Sequence, residues 1–377
     1  MTVRGTAVVI GAGPAGLATA IALRGAGFDP VVYERQARLS AEGGGLTLWP
    51  NGLAALASIG ADREVRERAL PSPGTAMRAA NGRTLYEMSA ADMERVGGCG
   101  VAMHRGELVA ALAGRLGSDA IRFGATCVDV RSDASGATVG FEGGERVRAT
   151  LVVGADGIRS QVRTACGLGR PLRYGGSTVW RAAVRYRLPE LPGLLTLGGP
   201  NQFGIWRLPG DRVYWFASVP APPGRYRSGQ SRPPEEFARW HDPIGALLDA
   251  TPTDEIIVTD VYDSGPLSSW SADRVVLVGD AAHPSLPHMG QGTSQAFEDA
   301  AVLADRLAAG SDISAALRGY HERRRDRARS AWAQARMLAR VGAWRGGFSC
   351  WLRERMMAAA PARVQAGQLH RMFAFRT

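Results

Sequence analysis

The stretch "AVVIGAGPAGLATAIALRGAGFDPVVYER", Ala7 to Arg35, constrains the fold of this chain more than any other. Its first four residues form an apolar run short enough for a buried parallel strand, and Leu17 to Leu23 carry the apolar spacing of a helix. Between them stands "GAGPAG", Gly11 to Gly16. Gly11 permits a tight turn, Gly13 lets backbone approach a pyrophosphate, and Gly16 lets helix and strand pack closely, so the helix N-terminus faces an anion. Ala15 lies in the same turn. A second strand, Pro30 to Tyr33, ends on Glu34, 23 residues after Gly11. That spacing suits an acid that accepts hydrogen bonds from a ribose diol and favours an unphosphorylated ribose.

FAD and NAD present the same ADP moiety to such a unit, so later segments must decide between them. Two more strand ends are built alike: "ATLVVGADGIRSQVR", Ala149 to Arg163, and "VVLVGDAAHPSLPHMGQGTSQAFEDA", Val275 to Ala300. Each apolar strand breaks at Gly and Asp and then turns helical. There is no second G-x-G-x-x-G to dedicate to a nicotinamide cofactor. Asp280 alone could equally be a helix N-cap, with Pro284 and Pro287 as loop punctuation.

Composition narrows the chemistry. All 45 basic residues are Arg, and the net charge is +10. Without Lys, a Schiff-base enzyme, a P-loop NTPase and a flavin enzyme working through an active-site Lys are excluded. Cys99, Cys127, Cys166 and Cys350 are far apart and unaccompanied by clustered His, so no disulfide framework or metal site is expected. The dense run "HERRRDRARSAW", His321 to Trp332, reads as a solvated helix face, not a nucleic-acid site. No apolar stretch is long enough for a membrane span and no cleavable signal pattern precedes the first strand, which makes a cytoplasmic location the expectation.

Taken in order, "GAGPAG" with Glu34 and Arg35, "GGGLTLWPNGLAAL" (Gly43 to Leu56), "HRGELVAAL" (His104 to Leu112), "GADGIRSQVR" and "VGDAAHPSLPHMGQGTSQAFEDA" resemble the class A flavoprotein monooxygenases, the para-hydroxybenzoate hydroxylase-like family. The resemblance covers nearly the whole chain. It implies FAD as cofactor, NADH or NADPH and O2 as co-substrates, and hydroxylation or epoxidation of an aromatic or electron-rich ring through a flavin C4a-hydroperoxide. It places Asp280 and Gly279 against the ribityl chain. The Pro287 to Ser294 turn, with Gly290, Gly292, Thr293 and Ser294, falls at the flavin ring, where helix N–H donors can hold the negative charge of the reduced ring. Arg105 resembles the Arg that reaches the phosphates or ribityl, and the backbone at Val128 the one that meets the adenine. Gly44 and Gly45 lie in a cofactor-contacting segment. Asp156 and Gly157 serve the pyrophosphate and the passing nicotinamide.

Between Pro171 and Pro266 the pattern changes to alternating aromatic and β-branched runs, expected to be antiparallel strands. In "DRVYWFASV" Tyr214 and Phe216 share one face and Val213 and Trp215 the other. The resemblance makes this sheet the floor of the substrate pocket, sets the pair Trp180-Arg181 near the flavin and gives Tyr214 a substrate-contacting position. Family members acting on urate or pyridine carboxylates tend to carry an Arg about a dozen positions before this Tyr. Here that position is near Gln202, which leaves room for a neutral, larger aromatic walled by Phe203, Trp206 and Trp215. His288 stands where a small polar residue is frequent; it either acts as a base on a phenol or is structural.

The expected fold is α/β: a doubly wound Rossmann-like FAD-binding sheet, an interleaved mixed or antiparallel substrate sheet and a C-terminal helical segment. The FAD-binding unit is expected in segments 1–72, 101–172 and 266–309, the substrate unit in 73–100 and 173–265, and the helices in 310–377. Trp344, Phe348, Trp351, Met356 and Met357 read as core packing or a dimer contact more than as a membrane-facing surface. The expected partner is a small aromatic molecule, with no nucleic acid and no firm membrane association, and the chain a monomer or homodimer. The rivals to this reading are an oxidoreductase or epoxidase on a non-aromatic hydrophobic substrate and a catalytically idle flavoprotein that acts as a binding module.

Overall fold

The computed structural model of the chain describes residues 4–40, 43–310, 312–359 and 362–375. The first strand, β1 (Thr6–Ile10), is followed by helix α1 (Pro14–Gly25) and strand β2 (Asp29–Glu34). β1 lies in the middle of a six-stranded sheet, parallel to β2 on one side and to Leu151–Gly154 on the other. The parallel set is extended by Ile121–Phe123 at one edge and Val275–Leu277 toward the other. Ala7 to Ile10 and Leu151 to Val153 are almost fully buried, as expected of strands covered by helices on both faces. All three Gly-bearing strand ends, at Gly11, Gly154 and Gly279, therefore open at the same carboxyl edge of neighbouring parallel strands. In open α/β sheets this edge is where ligands bind.

Helices α2 (Pro50–Ser58), α3 (Arg105–Leu116) and α4 (Gly292–Ala309) surround this edge. α1 and α2 both pack on α4. The close α2–α4 contact depends on Gly52, where a Cβ would stand 2.6 Å from the Ser294 hydroxyl. α4 leads into α5 (Ile313–Gly342), a 30-residue helix, and the chain ends in α6 (Gly347–Ala359) and α7 (Ala362–Phe373).

A second sheet has seven strands. Its centre is β3 (Arg173–Arg185), β4 (Asn201–Leu208) and β5 (Arg212–Pro220), all antiparallel. Ile257–Asp263 closes one edge, while Gly193–Gly198, Gly74–Ala79 and Thr84–Ser89 extend the other, with the Gly193 and Gly74 strands parallel. The register sets Trp206 opposite Tyr214, Gly204 opposite Phe216, and Arg181 opposite Phe216 on the other side. One face therefore carries Gln202, Gly204, Trp206, Tyr214, Phe216 and Arg181.

The opposite face holds Trp180, Phe203 and Trp215, each fully buried, in a core with Phe237, Ile244 and Leu247. Phe203 stacks on Trp215 at 5.4 Å, and the edge of Trp180 meets Tyr226 at 4.7 Å. This corrects two expectations. Phe203 and Trp215 do not wall a substrate pocket, and Trp180 does not accompany Arg181 toward the flavin, because neighbours along a strand point to opposite sides. Of the three expected wall residues, Trp206 alone lies on the Tyr214 face.

The helical end brings two further corrections. The Arg-rich run of α5 is solvated at Glu322, Arg325 and Asp326, but Arg324 is buried at 2% exposure. In α6, Met357 packs with Ala79, Leu85 and Leu197, yet Phe348, Trp351 and Met356 are exposed by 75%, 51% and 61%. Core packing does not account for them.

Candidate active site

The first turn behaves as its sequence demands. Gly11 has φ +107°, and a Cβ there would stand 2.7 Å from the Ala155 carbonyl; one on Gly16 would stand 1.9 Å from the Gly11 carbonyl. A Cβ on Gly13 would meet nothing within 4 Å, so the backbone there faces open space. Gly13 is the N-cap of α1 and supplies no side-chain cap. The first N–H groups of α1 are thus aimed at a cradle suited to a pyrophosphate.

Glu34 is anchored by backbone: Ala12 N–H donates to one carboxylate oxygen at 2.8 Å and Gln36 N–H to the other at 2.9 Å. Each oxygen keeps a further lone pair for a diol. Arg35 is exposed beside it. Gly124 and Ala125 bond back to the carbonyls of Gln36 and Glu34, which brings Val128 near this end of the cleft. Val128 is 54% exposed, an apolar surface left beside the ribose acid.

Asp280 is the central charge. Its side chain keeps access to solvent yet is enclosed by protein, as at the bottom of a cleft. Burial pushes its pKa up, while His283, Arg105 and Arg163 oppose that shift. Arg105 is exposed, and its N–H donates to the Gly44 carbonyl at 3.1 Å, which fixes it against the Gly43–Gly45 backbone. Gly279 has φ +58°, and a Cβ there would lie 3.0 Å from that of Ala15, so the Gly-Asp turn rests on the first turn of α1.

The Gly290 turn closes the cleft. Pro287 opens a short 3-10 turn that ends on Gly290 in the left-handed region, and Gly292 starts α4 with its Cβ position 4.0 Å from an Asp280 oxygen. Thr293 is half-buried and Ser294 buried; the Ser294 hydroxyl accepts from Trp49 N–H at 3.3 Å. His288 lies beside this turn, with a buried Nδ1 that has no partner among the described residues and a pKa lowered by burial. Its imidazole is neutral at pH 7.

Asp156 has a structural duty at the second strand end. One of its oxygens caps the short helix Gln161–Ala165, accepting from Gln161 N–H at 2.7 Å and Val162 N–H at 3.2 Å. Its other oxygen is buried without a partner among the described residues. Gly157 has φ +79° with open space at its Cβ position.

On the sheet side, a Cβ on Gly44 would lie 2.6 Å from the Tyr214 ring and one on Gly45 2.4 Å from the Tyr214 Cβ, so the Gly44-Gly45 backbone lies flat on this side chain. Burial raises the Tyr214 phenol, opposed by Arg181, and keeps it a hydrogen-bond donor. Trp206 and Phe216 stack at 5.7 Å across the strands, which needs Gly204 between them: a Cβ there would come within 2.2 Å of Phe216. Beyond them Val179, Leu286 and Ala335 form an apolar cluster with Phe216, Met289 and Ala339. Gln202 reaches Gly342 at the end of α5, where a Cβ would meet its amide nitrogen at 2.3 Å.

Several supporting residues were not singled out from sequence. Arg163, 4% exposed, donates to the Ala281 carbonyl at 2.9 Å and the Ile158 carbonyl at 2.5 Å, tying two of the strand-end turns together. Behind α4 lies a buried ionic network. Arg324 meets Asp299 at 2.8 Å and also Glu298; Arg327 holds both Glu298 oxygens, at 2.5 and 2.6 Å. Asn51 of α2 donates to Glu298 at 2.7 Å. Asp299 in turn accepts from Gly279 N–H at 2.8 Å and meets His283 Nε2 at 2.5 Å. Burial would raise Asp299, but His283 and Arg324 outweigh it and hold its pKa below the usual range. The acids Glu298 and Asp299 inside the apolar stretch Ala296 to Ala304 of this helix were the available signal. A separate cavity of about 260 Å³, lined by Trp270, His283, His321, Arg325, Arg329 and Trp332, lies on the other side of this network and not at the flavin cleft. Among the described residues no cluster of His, Cys, Asp and Glu could hold a metal ion.

A Rossmann-like cradle for ADP, a deep carboxylate for a polyol chain and an aromatic sheet facing both define an FAD-dependent hydroxylase. The family described as "FAD binding domain" matches residues 4–335. The chain is 34% identical over 358 residues to the aurachin C monooxygenase/isomerase of Stigmatella aurantiaca, covering 93% of each chain. It is 33% identical over 372 residues to the 2-heptyl-3-hydroxy-4(1H)-quinolone synthase of Pseudomonas aeruginosa, covering 94% of each. The crystal structure of Klebsiella pneumoniae HpxO with FAD and uric acid superposes with a TM-score of 0.90 at 27% identity, covering 98% of this chain and 96% of that one. The chain belongs to the flavoprotein aromatic hydroxylases, the class A FAD-dependent monooxygenases. It is an enzyme that uses FAD, NAD(P)H and O2 to hydroxylate an aromatic or electron-rich ring in a small molecule. Among the described residues no helix is long and apolar enough to cross a membrane.

Proposed function

We propose that the substrate is a neutral, fused-ring aromatic of quinolone type that carries an apolar substituent. The observation that carries this reading is the composition of the sheet face opposite the flavin cleft. Trp206, Phe216 and Met289 present apolar surface there over the buried Val179 and Ala335, and the polar side chain at the far end is the neutral amide of Gln202, packed on Gly342. An anionic substrate at that end would meet the Gln202 amide, because Arg353, which also reaches Gly342, is buried and already bonded to the Gly342 and Gly199 carbonyls. The aurachin and alkyl-quinolone relatives support a substrate of this size.

In this reading Gly11, Gly13, Ala15 and Gly16 cradle the pyrophosphate, Glu34 binds the ribose and the Val128 backbone borders the adenine. Asp280 and Arg105 hold the ribityl and phosphates. Bound FAD would supply the redox and oxygen-transfer chemistry. The protein's own part is to orient the ring, exclude water and offer the Gly290–Ser294 backbone N–H groups to negative charge. Tyr214 donates a hydrogen bond on the substrate side, Arg181 sets its field, and His288, neutral and with an Nδ1 that has no partner among the described residues, accepts a proton from an acidic ring hydroxyl or N–H. Gly157 leaves room for the reductant to pass. We place the enzyme in the cytoplasm, as a monomer or homodimer, because its reductant is cytoplasmic and its four cysteines are free.

The test is the anaerobic rate of flavin reduction by NADH and by NADPH, with and without a panel of phenols, 4-quinolones, polycyclic aromatics and aromatic carboxylates. Acceleration by the quinolones supports the reading. Acceleration by the carboxylates alone overturns it, and fast reduction without any compound points to an ungated enzyme.

A further inference from the structure

Helix α6 is amphipathic in the reverse sense for a helix that covers a sheet. Cys350, Arg353, Glu354 and Met357 recur at the spacing of one helical face and turn inward; Phe348, Trp351, Leu352, Arg355 and Met356 recur at the same spacing and turn outward. The inward face is fastened by polar bonds. Arg353, 1% exposed, donates to the Gly342 carbonyl at 3.1 Å and the Gly199 carbonyl at 2.9 Å, and Glu354 pairs with Arg83 at 2.5 Å. The helix cannot roll its aromatic face inward without breaking these contacts and leaving a buried guanidinium unpaired. The outward exposure is thus built in.

That outward face is continuous. Phe348 stacks on Trp351 at 5.9 Å, and the Arg355 guanidinium lies 5.5 Å from the Trp351 ring. The cations around it are Arg340, Arg345 and Arg355, all exposed, and among the described residues none of them pairs with a carboxylate. Glu354, the acid within the helix, is already held by Arg83. A 13-residue helix is about 20 Å long, sufficient to lie in a bilayer interface though not to cross one.

We propose that α6 docks the enzyme on an anionic lipid surface, with Phe348, Trp351, Leu352 and Met356 entering the headgroup boundary and Arg345 and Arg355 meeting lipid phosphates. Charge selects this occupant over a second copy of the chain. A two-fold contact through the same face would set its Arg residues against their own counterparts, whereas an anionic surface complements them. The inference stands apart from the choice of substrate.

The test uses the FAD-loaded full chain and sedimentation with vesicles of zwitterionic lipid alone or with about one-third anionic lipid. The chain should pellet with the anionic vesicles at low salt, and its partition coefficient should fall at least tenfold when ionic strength rises to about 0.5 M. Arg345→Gln and Arg355→Gln should each lower partitioning roughly fivefold. Phe348→Ser with Trp351→Ser should abolish it while flavin content and turnover of a water-soluble substrate stay at the parent level. Absence of binding to anionic vesicles overturns the proposal, as does equal binding to both vesicle types. A concentration-dependent dimer that Trp351→Glu splits would assign the face to self-association instead.

Discussion

The two sides of the active-site cleft are built from different materials. On the parallel-sheet side the shape is made by backbone: Gly11, Gly13 and Gly16 set the approach to α1, Gly279 rests on Ala15, and the side chain of Glu34 is itself held by two backbone N–H groups. On the antiparallel side the shape is made by side chains, with Trp206, Tyr214 and Phe216 lying over Gly204 and the Gly44-Gly45 segment. A backbone cradle admits one ligand shape and tolerates few changes at its glycines. A side-chain wall can be rewritten by single substitutions without disturbing the strand beneath. The cofactor is thus fixed by the first side, and the chain's individuality resides in the second.

This contrast can be broken most severely at Gly16. Gly16→Ala places a methyl group 1.9 Å from the Gly11 carbonyl, a backbone atom with nowhere to go. The purified protein should lack flavin absorbance altogether, and flavin retained at the parent level would mean that the cradle is not the cofactor site. Next in size is the support behind the cradle. Arg324→Met takes one cation from each of the buried acids, leaving Glu298 to Arg327 and Asp299 to His283, and should cost about 3 kcal/mol of stability, read as a fall in Tm. Because Asp299 is held below the usual carboxylate range, the parent's advantage is present above about pH 4 and fades as pH falls through the lowered value. A pH-independent gap in Tm would show that packing, not charge, is what Arg324 supplies.

Asp280→Asn tests a single side chain on the cofactor side. FAD affinity should drop by about 10- to 100-fold while the fold persists, since one charge-assisted hydrogen bond is removed from an otherwise intact backbone site. Equilibrium titration of the apoprotein with FAD reads this directly. On the other side, Gln202→Arg should leave FAD affinity unchanged and shift the kcat/KM ratio of anionic over neutral aromatic substrates by roughly tenfold. An equal loss for both substrate classes would show that the residue acts through its packing on Gly342 and not through charge.

The same asymmetry governs what could be read in advance. The glycine turns were legible because a positive φ or a close backbone approach restricts the residue at that position, and the restriction is written locally. The alternation in β5 showed which side chains share a face, but period two is symmetric and carries no mark of which face meets the cofactor. Phe203 and Trp215 were grouped with Trp206 as wall residues although the alternation sets them opposite Tyr214, and Trp180 was paired with Arg181 by resemblance although strand neighbours point apart. Arg324 was hidden differently. In a run of Arg residues at helical spacing it reads as one more solvated cation, and its partners Glu298 and Asp299 belong to another helix. Their pairing depends on how α5 crosses α4, a tertiary fact with no local signature beyond two acids in an apolar stretch.

The smallest effect separates a catalytic from a structural His288. Burial lowers its pKa, so the native state resists protonation while the unfolded chain takes up the proton near pH 6.5. Stability attached to this residue is therefore complete above pH 6.5 and is lost as pH falls toward the depressed value. His288→Asn removes the titration, so the variant and parent should differ in Tm by no more than a degree or two at pH 8, and the parent should fall behind below pH 6. Turnover discriminates further. If the neutral imidazole accepts the substrate's proton, the variant should lose kcat at every pH while keeping its rate of flavin reduction. If it only fills the Pro287–Met289 turn, both rates should move together and the parent's acid limb should disappear from neither.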